Sequence, residues 1–270
     1  MKVGLRRIYI KGQRRLSSIF IFHTSSFIFL LRDRISPIMW NLSPTEWSAI
    51  WLSLKVALGV ALTTVIPAVF LGWLFARREF RGKVALESLV HAPLVMPPVV
   101  TGYLLLLLFG RNGWIGRPLA EWFGIRLVFT WQGAVLAAAI VALPLAVRSV
   151  QLAISLVDRR LEEAAQTLGY PPLRVFVKIT LPLAWPGILG GILLAFSRSL
   201  GEFGATITFA GNIEGSTQTL PLAIYSALQV PGAENTAMRL TVCSLILCFA
   251  SLLVSEWLTR RSKRRLKSEA

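Results

Sequence analysis

The sequence predicts an all-α polytopic membrane protein with five core spans, and three observations lead there. Apolar residues make up 54% of the chain and charged residues only 16%, against about 25% charged in an average soluble domain. The apolar residues gather into runs long enough to cross a bilayer, whose hydrocarbon core takes roughly 20 residues of helix. Lys and Arg, 29 in all against 13 Asp and Glu, sit between and beside these runs rather than along one helix face. The net charge of +16 therefore reads as membrane topology, and nucleic acid is excluded as a partner.

In chain order, residues 1–38 form a basic N-terminal extension with Lys2, Arg6, Arg7, Lys11, Arg14 and Arg15 and a sixteen-residue apolar run at 16–31. That run is short for a crossing. It reads either as sequence upstream of a true start at Met39 or as a sixth, weak N-terminal span. The apolar, multi-span core occupies 39–261, and a basic tail follows at 262–270.

The first core span covers 47–75, with Trp47 and Trp51 at one end and Trp73 at the other, as suits the two interfaces. Arg77, Arg78, Arg81 and Lys83 follow at once. The second span, 84–109, carries Pro93, Pro97 and Pro98; such prolines free carbonyls and bend a membrane helix, which predicts a broken helix beside a pathway. Glu87 and His91, four residues apart, read as a structural hydrogen-bonded pair on one face. The third span is 131–150 with Pro144, and the fourth is 183–209, where Gly187, Gly190 and Gly191 allow close helix approach. The fifth covers 238–258 and ends at a second basic cluster.

Topology follows from the basic residues. Segments 77–83, 148–178 and 260–267 hold fifteen Lys and Arg, whereas 39–46, 110–130 and 211–236 hold three. The positive-inside rule then puts the core N-terminus outside and the C-terminus in the cytoplasm. Cys243 and Cys248 lie in an apolar run and read as small packing residues. With two His and no clustered Cys or His, no metal site is expected. No GxxxxGK[ST] loop occurs, so any ATP is bound by another chain.

One polar stretch, 158–182, interrupts the apolar runs on the cytoplasmic side. Asp158 suits an N-cap, Leu161, Ala164, Ala165 and Leu168 recur at helical spacing, and Gly169 suits the left-handed residue that stops the helix. Pro171 and Pro172 then suit the first turn of a second helix. Glu163-Ala164-Ala165, Gly169, Ile179 and Leu181-Pro182 stand at the spacing of the EAA loop, and the chain resembles the binding-protein-dependent ABC importer permeases there. Over nearly the whole of 39–261 it resembles the molybdate importer permease family, through SLKVAL at 53–58, HAPLVMPPVVTGYLLL at 91–106, GAVLAAA at 133–139 and FSRSLGEFGATITF at 196–209. Ser197 stands where that family usually has Ala.

The resemblance implies a type I ABC importer transmembrane domain in the bacterial inner membrane. It implies a homodimer of permeases, a cytoplasmic ATPase subunit that binds ATP and Mg, and a periplasmic molybdate-binding protein, with no cofactor in this chain. Glu163, Ala164, Ala165, Gly169, Ile179, Leu181 and Pro182 are the expected ATPase-coupling residues. Arg198 and Glu202 are intramembrane charges and hence candidates for function. Ser197, Ser199, Thr206 and Thr208 offer hydroxyls to a passing oxyanion. Tungstate and sulfate or thiosulfate permeases are the alternatives. A secondary transporter would not need the EAA spacing, and a membrane enzyme would need a convergent catalytic set that is not present.

Overall fold

The computed structural model describes residues 42–269, and every regular element among them is helical. Ten helices follow in order: α1 (Pro44–Arg77), α2 (Lys83–Val95), α3 (Pro98–Phe109), α4 (Gly116–Phe123), α5 (Trp131–Ser155), α6 (Arg159–Thr167), α7 (Pro172–Leu200), α8 (Gly204–Phe209), α9 (Leu220–Leu228) and α10 (Glu234–Glu269). The extension 1–38 falls outside the described residues. Helices α1, α5, α7 and the Glu234–Ser262 part of α10 are each long and apolar enough to cross a membrane, which accounts for four of the five expected core spans. The bent α2–α3 pair makes the fifth when its two helices are counted as one span rather than as a re-entrant loop.

Helix α5 is the hub. It packs between α1 and α7, and Val56, Val60, Phe75, Val147, Val150, Ile154 and Ile188 form the centre of one apolar cluster. Its face is rich in Ala134, Ala138, Ala142 and Ala146, all essentially buried. Lipid tails are as apolar as side chains, so helices in a bilayer associate through close packing of small residues. Gly187 shows how close: a Cβ there would lie 2.3 Å from the Cβ of Ala153, and one on Gly191 would lie 2.8 Å from the Cβ of Ser149. Ser149 Oγ donates to the Gly187 carbonyl at 2.9 Å across the same contact. Gly190, expected to share this role, lies in a looser contact: a Cβ there would meet only Thr259 Oγ1 of α10, at an ordinary 3.8 Å.

The second span is broken more sharply than a kink. Helices α2 and α3 meet at 117°, because Met96 precedes Pro97 and Pro97 precedes Pro98, and a residue before proline is pushed out of the helical region. Met96 and Pro97 are extended, with ψ of 143° and 131°. Pro98 then opens α3, where its missing N–H costs nothing.

Three boundaries differ from expectation. The fourth span is not continuous to 209: α7 ends at Leu200, and 201–203 separate it from α8. At its other end α7 begins as early as Pro172, so the second helix of the polar stretch runs straight into the span. Residues Phe176–Thr180 of α7 form one wide π turn, closed by Leu181 N–H to the Phe176 carbonyl. It lies where Pro182 supplies no N–H and would crowd the carbonyl four residues back, which is a physical reason for the helix to widen. Finally α10 continues through the basic tail to Glu269.

The α5–α7 contact gives a direct test. Gly187→Val should destabilise the purified protein by about 1–3 kcal/mol, the usual cost of overpacking a tight contact, read as a lower Tm in detergent. An unchanged Tm would contradict the close approach.

Candidate coupling site and membrane pathway

The polar stretch folds as its local signals dictate. Asp158 caps α6, its carboxylate accepting from the Arg160 N–H at 3.0 Å. Gly169 ends the turn with φ of 86°, a conformation glycine adopts without strain. Tyr170 N–H reaches back to the Ala165 carbonyl at 3.1 Å, and Pro171 is extended before Pro172 opens α7.

A residue that the spacing does not single out holds this loop in place. The Glu162 carboxylate accepts from Arg77 at 2.9 Å and from Thr180 Oγ1 at 2.6 Å. Arg77, the last residue of α1, also donates to the Val157 carbonyl at 2.9 Å. Both partners of the ion pair are mostly buried, so the end of α1, the loop helix and the π turn of α7 meet at one charged node. No spacing rule finds a pair 85 positions apart, and nothing in the sequence separates Arg77 from the other basic residues at the foot of the same span.

The other face of the loop is open. Glu163 is exposed and has no ion-pair partner among the described residues, and Ala164 and Gly169 are exposed beside it. Ala165 is buried against the chain's own spans, Pro182 is exposed, and Ile179 and Leu181 are half-buried. Of the residues that recur at helical spacing, only Ala165 is buried. Leu161 and Leu168 project outward, Leu168 with 78% of its surface free, and Leu173 and Val177 continue the exposed patch. Together these residues make an exposed apolar patch rimmed by polar ones, the surface character of an interaction site.

The pathway candidates cluster around the α7–α8 break. Glu202 is only 2% exposed; it pairs with Arg198 at 3.0 Å and accepts the Ala205 N–H at 2.9 Å, so that it caps α8. Neutralisation and capping are both met by one carboxylate, which explains why the span breaks there rather than running on. Arg198 keeps 34% of its side chain free. The hydroxyls are engaged locally: Ser199 donates to Phe196 O, Thr206 to Phe203 O and Thr208 to Gly204 O, while Ser197 meets Ser251 of α10 at 3.2 Å. Helix α8 lies tightly on α3: a Cβ on Gly102 would come within 2.7 Å of the Ala205 carbonyl, and one on Gly204 within 2.8 Å of Pro98. The two broken spans therefore meet at their breaks.

Glu87 and His91 interact differently from expectation. His91 Nδ1 lies 2.7 Å from the Glu87 backbone carbonyl, and the Glu87 carboxylate accepts from Gln151 Nε2 at 3.1 Å. The carboxylate is thereby tied to α5 rather than to its helical neighbour. No group of three His, Cys, Asp or Glu suited to a metal occurs among the described residues.

A core of α1, α5 and α7, the bent α2–α3 pair meeting the α7–α8 break at its side, and a polar helical loop at one end make up the transmembrane subunit of an ABC importer. Consistent with that class, the fold matches a bacterial alginate ABC transporter solved with its alginate-bound periplasmic protein, at a TM-score of 0.66, 16% identity and coverage of 93% of this chain and 96% of the other. The chain belongs to the family of binding-protein-dependent transport system inner membrane components, whose family model matches residues 68–265. Within it, the molybdenum transport system permease protein ModB of Haemophilus influenzae is 54% identical over 221 residues, 82% of this chain and 96% of that protein. The sulfate transport system permease protein CysT of Salmonella typhimurium is 36% identical over 232 residues, 80% and 83% of the two chains.

The charged node predicts energetic coupling. Arg77→Ala and Glu162→Gln should each lower Tm, and the double variant should lose less than the sum, by on the order of 1–3 kcal/mol. Simple additivity would contradict a shared node.

Proposed function

We propose that this chain is the permease subunit of an ATP-driven importer that moves molybdate across the inner membrane. The observation that carries the substrate is the gradient of similarity, 54% identity to molybdenum permeases against 36% to a sulfate permease over comparable lengths. Two copies would form the pathway between them, a periplasmic molybdate-binding protein would deliver the oxyanion, and ATP and Mg would be bound and used by a separate cytoplasmic ATPase. The core N-terminus would lie in the periplasm and the C-terminus in the cytoplasm, as the basic residues direct.

The loop geometry supports a division of labour in coupling. Leu161, Leu168 and Leu173 would fill an apolar groove of the ATPase, with Glu163 accepting hydrogen bonds at its rim, and Ala164 allowing close approach. Gly169 sets the turn that presents them. Movement of the ATPase would pass through Glu162 to Arg77 and Thr180, and so to α1 and α7 together. Ile179, Leu181 and Pro182 shape the π turn that joins the loop to α7. Alternating access would follow as paired loops close and part with ATP binding and hydrolysis.

At the breaks, Arg198 is the one partly free cation of the candidate pathway, and Glu202 offsets its charge. A compensated guanidinium attracts an oxyanion weakly, and a site that holds its ion weakly lets it leave. Ser197, Ser199, Thr206 and Thr208 would contribute a polar wall by tolerating anion passage, since their hydroxyl hydrogens are turned to neighbouring oxygens.

Two measurements test this. In liposomes containing the permease, its ATPase and its binding protein, molybdate should stimulate ATP hydrolysis and sulfate should not; stimulation by sulfate would move the substrate assignment. Glu163→Lys and Gly169→Asp should abolish uptake while the permease still inserts in the membrane. Normal uptake in both variants would refute the coupling role.

A further inference from the structure

We infer that the segment 110–130, at the end of the bundle opposite the coupling loop, is a binding site for the phosphate headgroup of an anionic phospholipid. This rests on the chain being a bilayer-spanning permease and not on its substrate. The segment joins the end of α3 to the start of α5, and its backbone is wound tightly. A Cβ on Gly113 would meet the Leu108 carbonyl at 2.3 Å, and one on Gly116 would meet the Gly110 and Phe109 carbonyls at 2.2 Å. These glycines, with Gly110, fold the loop back on the end of α3, and Ile115 N–H closes it on the Leu108 carbonyl at 3.0 Å. The site is therefore held by a compact loop rather than by a loose connection.

The fold-back gathers Arg111, Arg117 and Arg126 around one cavity of about 710 Å3, with Glu121 as its only acidic wall. Glu121 is paired with Arg117 at 2.8 Å. Arg111 and Arg126 have no ion-pair partner among the described residues, so the cavity carries two uncompensated guanidinium groups, the side chain best suited to bidentate binding of a phosphate.

Size and lining favour a lipid over a free oxyanion. The volume is that of sites filled by ligands with many heavy atoms, and a lone four-oxygen anion would leave most of it to water. Phe109, Leu127 and Phe129 supply apolar wall for glycerol and upper acyl carbons. Outside the cavity, Trp114 is 91% exposed, and Trp122 and Phe123 on α4 are largely exposed too. Helix α4 thus turns Arg117 and Glu121 to the cavity and its aromatic rings outward. Exposed Trp and Phe beside Arg at the end of a span are the composition of the headgroup layer, where aromatic rings and phosphates are both satisfied.

The test uses the permease complex released from nanodiscs of mixed phosphatidylcholine and phosphatidylglycerol, with retained lipid counted by native mass spectrometry. The wild type should retain phosphatidylglycerol preferentially. Arg111→Ala with Arg126→Ala should retain roughly thirtyfold less, from about a fivefold loss per Arg at an anionic surface. Glu121→Gln, which removes only the acidic wall, should retain more, and it keeps the test decisive if the double variant folds poorly. Equal retention of the two lipids, or unchanged retention in both variants, would overturn the site. So would displacement of the lipid by added molybdate, which would make the cavity an oxyanion site, or by the binding protein, which would make it a docking surface. Lipid retention is read without transport, so its failure and that of the molybdate assignment are separable.

Discussion

The structure depends on one charged node, Glu162 with Arg77 and Thr180. Taking two charges out of water costs several kcal/mol per ion unless geometry and further hydrogen bonds repay it. Here the carboxylate accepts from Arg77 and from a hydroxyl, and the guanidinium also serves the Val157 carbonyl. The reward is mechanical as much as energetic: three elements from distant parts of the sequence end at one point. Removing either charge would leave the other stranded, so the loop cannot easily part from α1 or α7.

That constraint explains why the polar stretch can be so exposed and still hold its shape. Leu161, Leu168 and Leu173 stay outside the chain's own core, and Leu168 and Leu173 stand almost free. A short helix without tertiary packing is marginal in water. It is kept here by the Asp158 cap, the Gly169 turn and the node beneath it. Its apolar face is thus left open, as the proposed coupling role needs. Helix α7 belongs to two parts of the membrane region: it packs with α1 and α5 in the core, and beyond Leu200 its span breaks into α8, which meets α3 through Gly102 and Gly204.

Features set by neighbours in sequence were legible in advance. The Asp158 cap, the left-handed Gly169, the break at Pro97-Pro98 and the five apolar spans all follow from chemistry within a few residues. Features set across the fold were not. Proline pairs announce a break but not an angle of 117°, which is fixed by packing on α5 and α8. The inward role of Glu162 and the outward role of Glu163 differ by one position on one helix, and only the location of Arg77 tells them apart. The helical spacing of Leu161 and Leu168 marks an apolar face without saying whose core it joins. Arg198 and Glu202 are visible in the sequence as intramembrane charges, and the structure pairs them; that the carboxylate also caps a new helix depends on the Ala205 N–H that it meets.

The central claim is that the coupling loop moves as one body with α1 and α7 of its own chain. Pulsed electron paramagnetic resonance tests it most directly, with one spin label at Gln166 in the loop and one at Ile66 on the exposed side of α1, in complexes where a single permease copy is labelled. The expected result is the same distance distribution without nucleotide and with ATP bound, while the distance between Gln166 labels on the two copies shifts. A change in the distance within one chain would show that the loop swings free of its spans, and would contradict transmission through the Glu162 node.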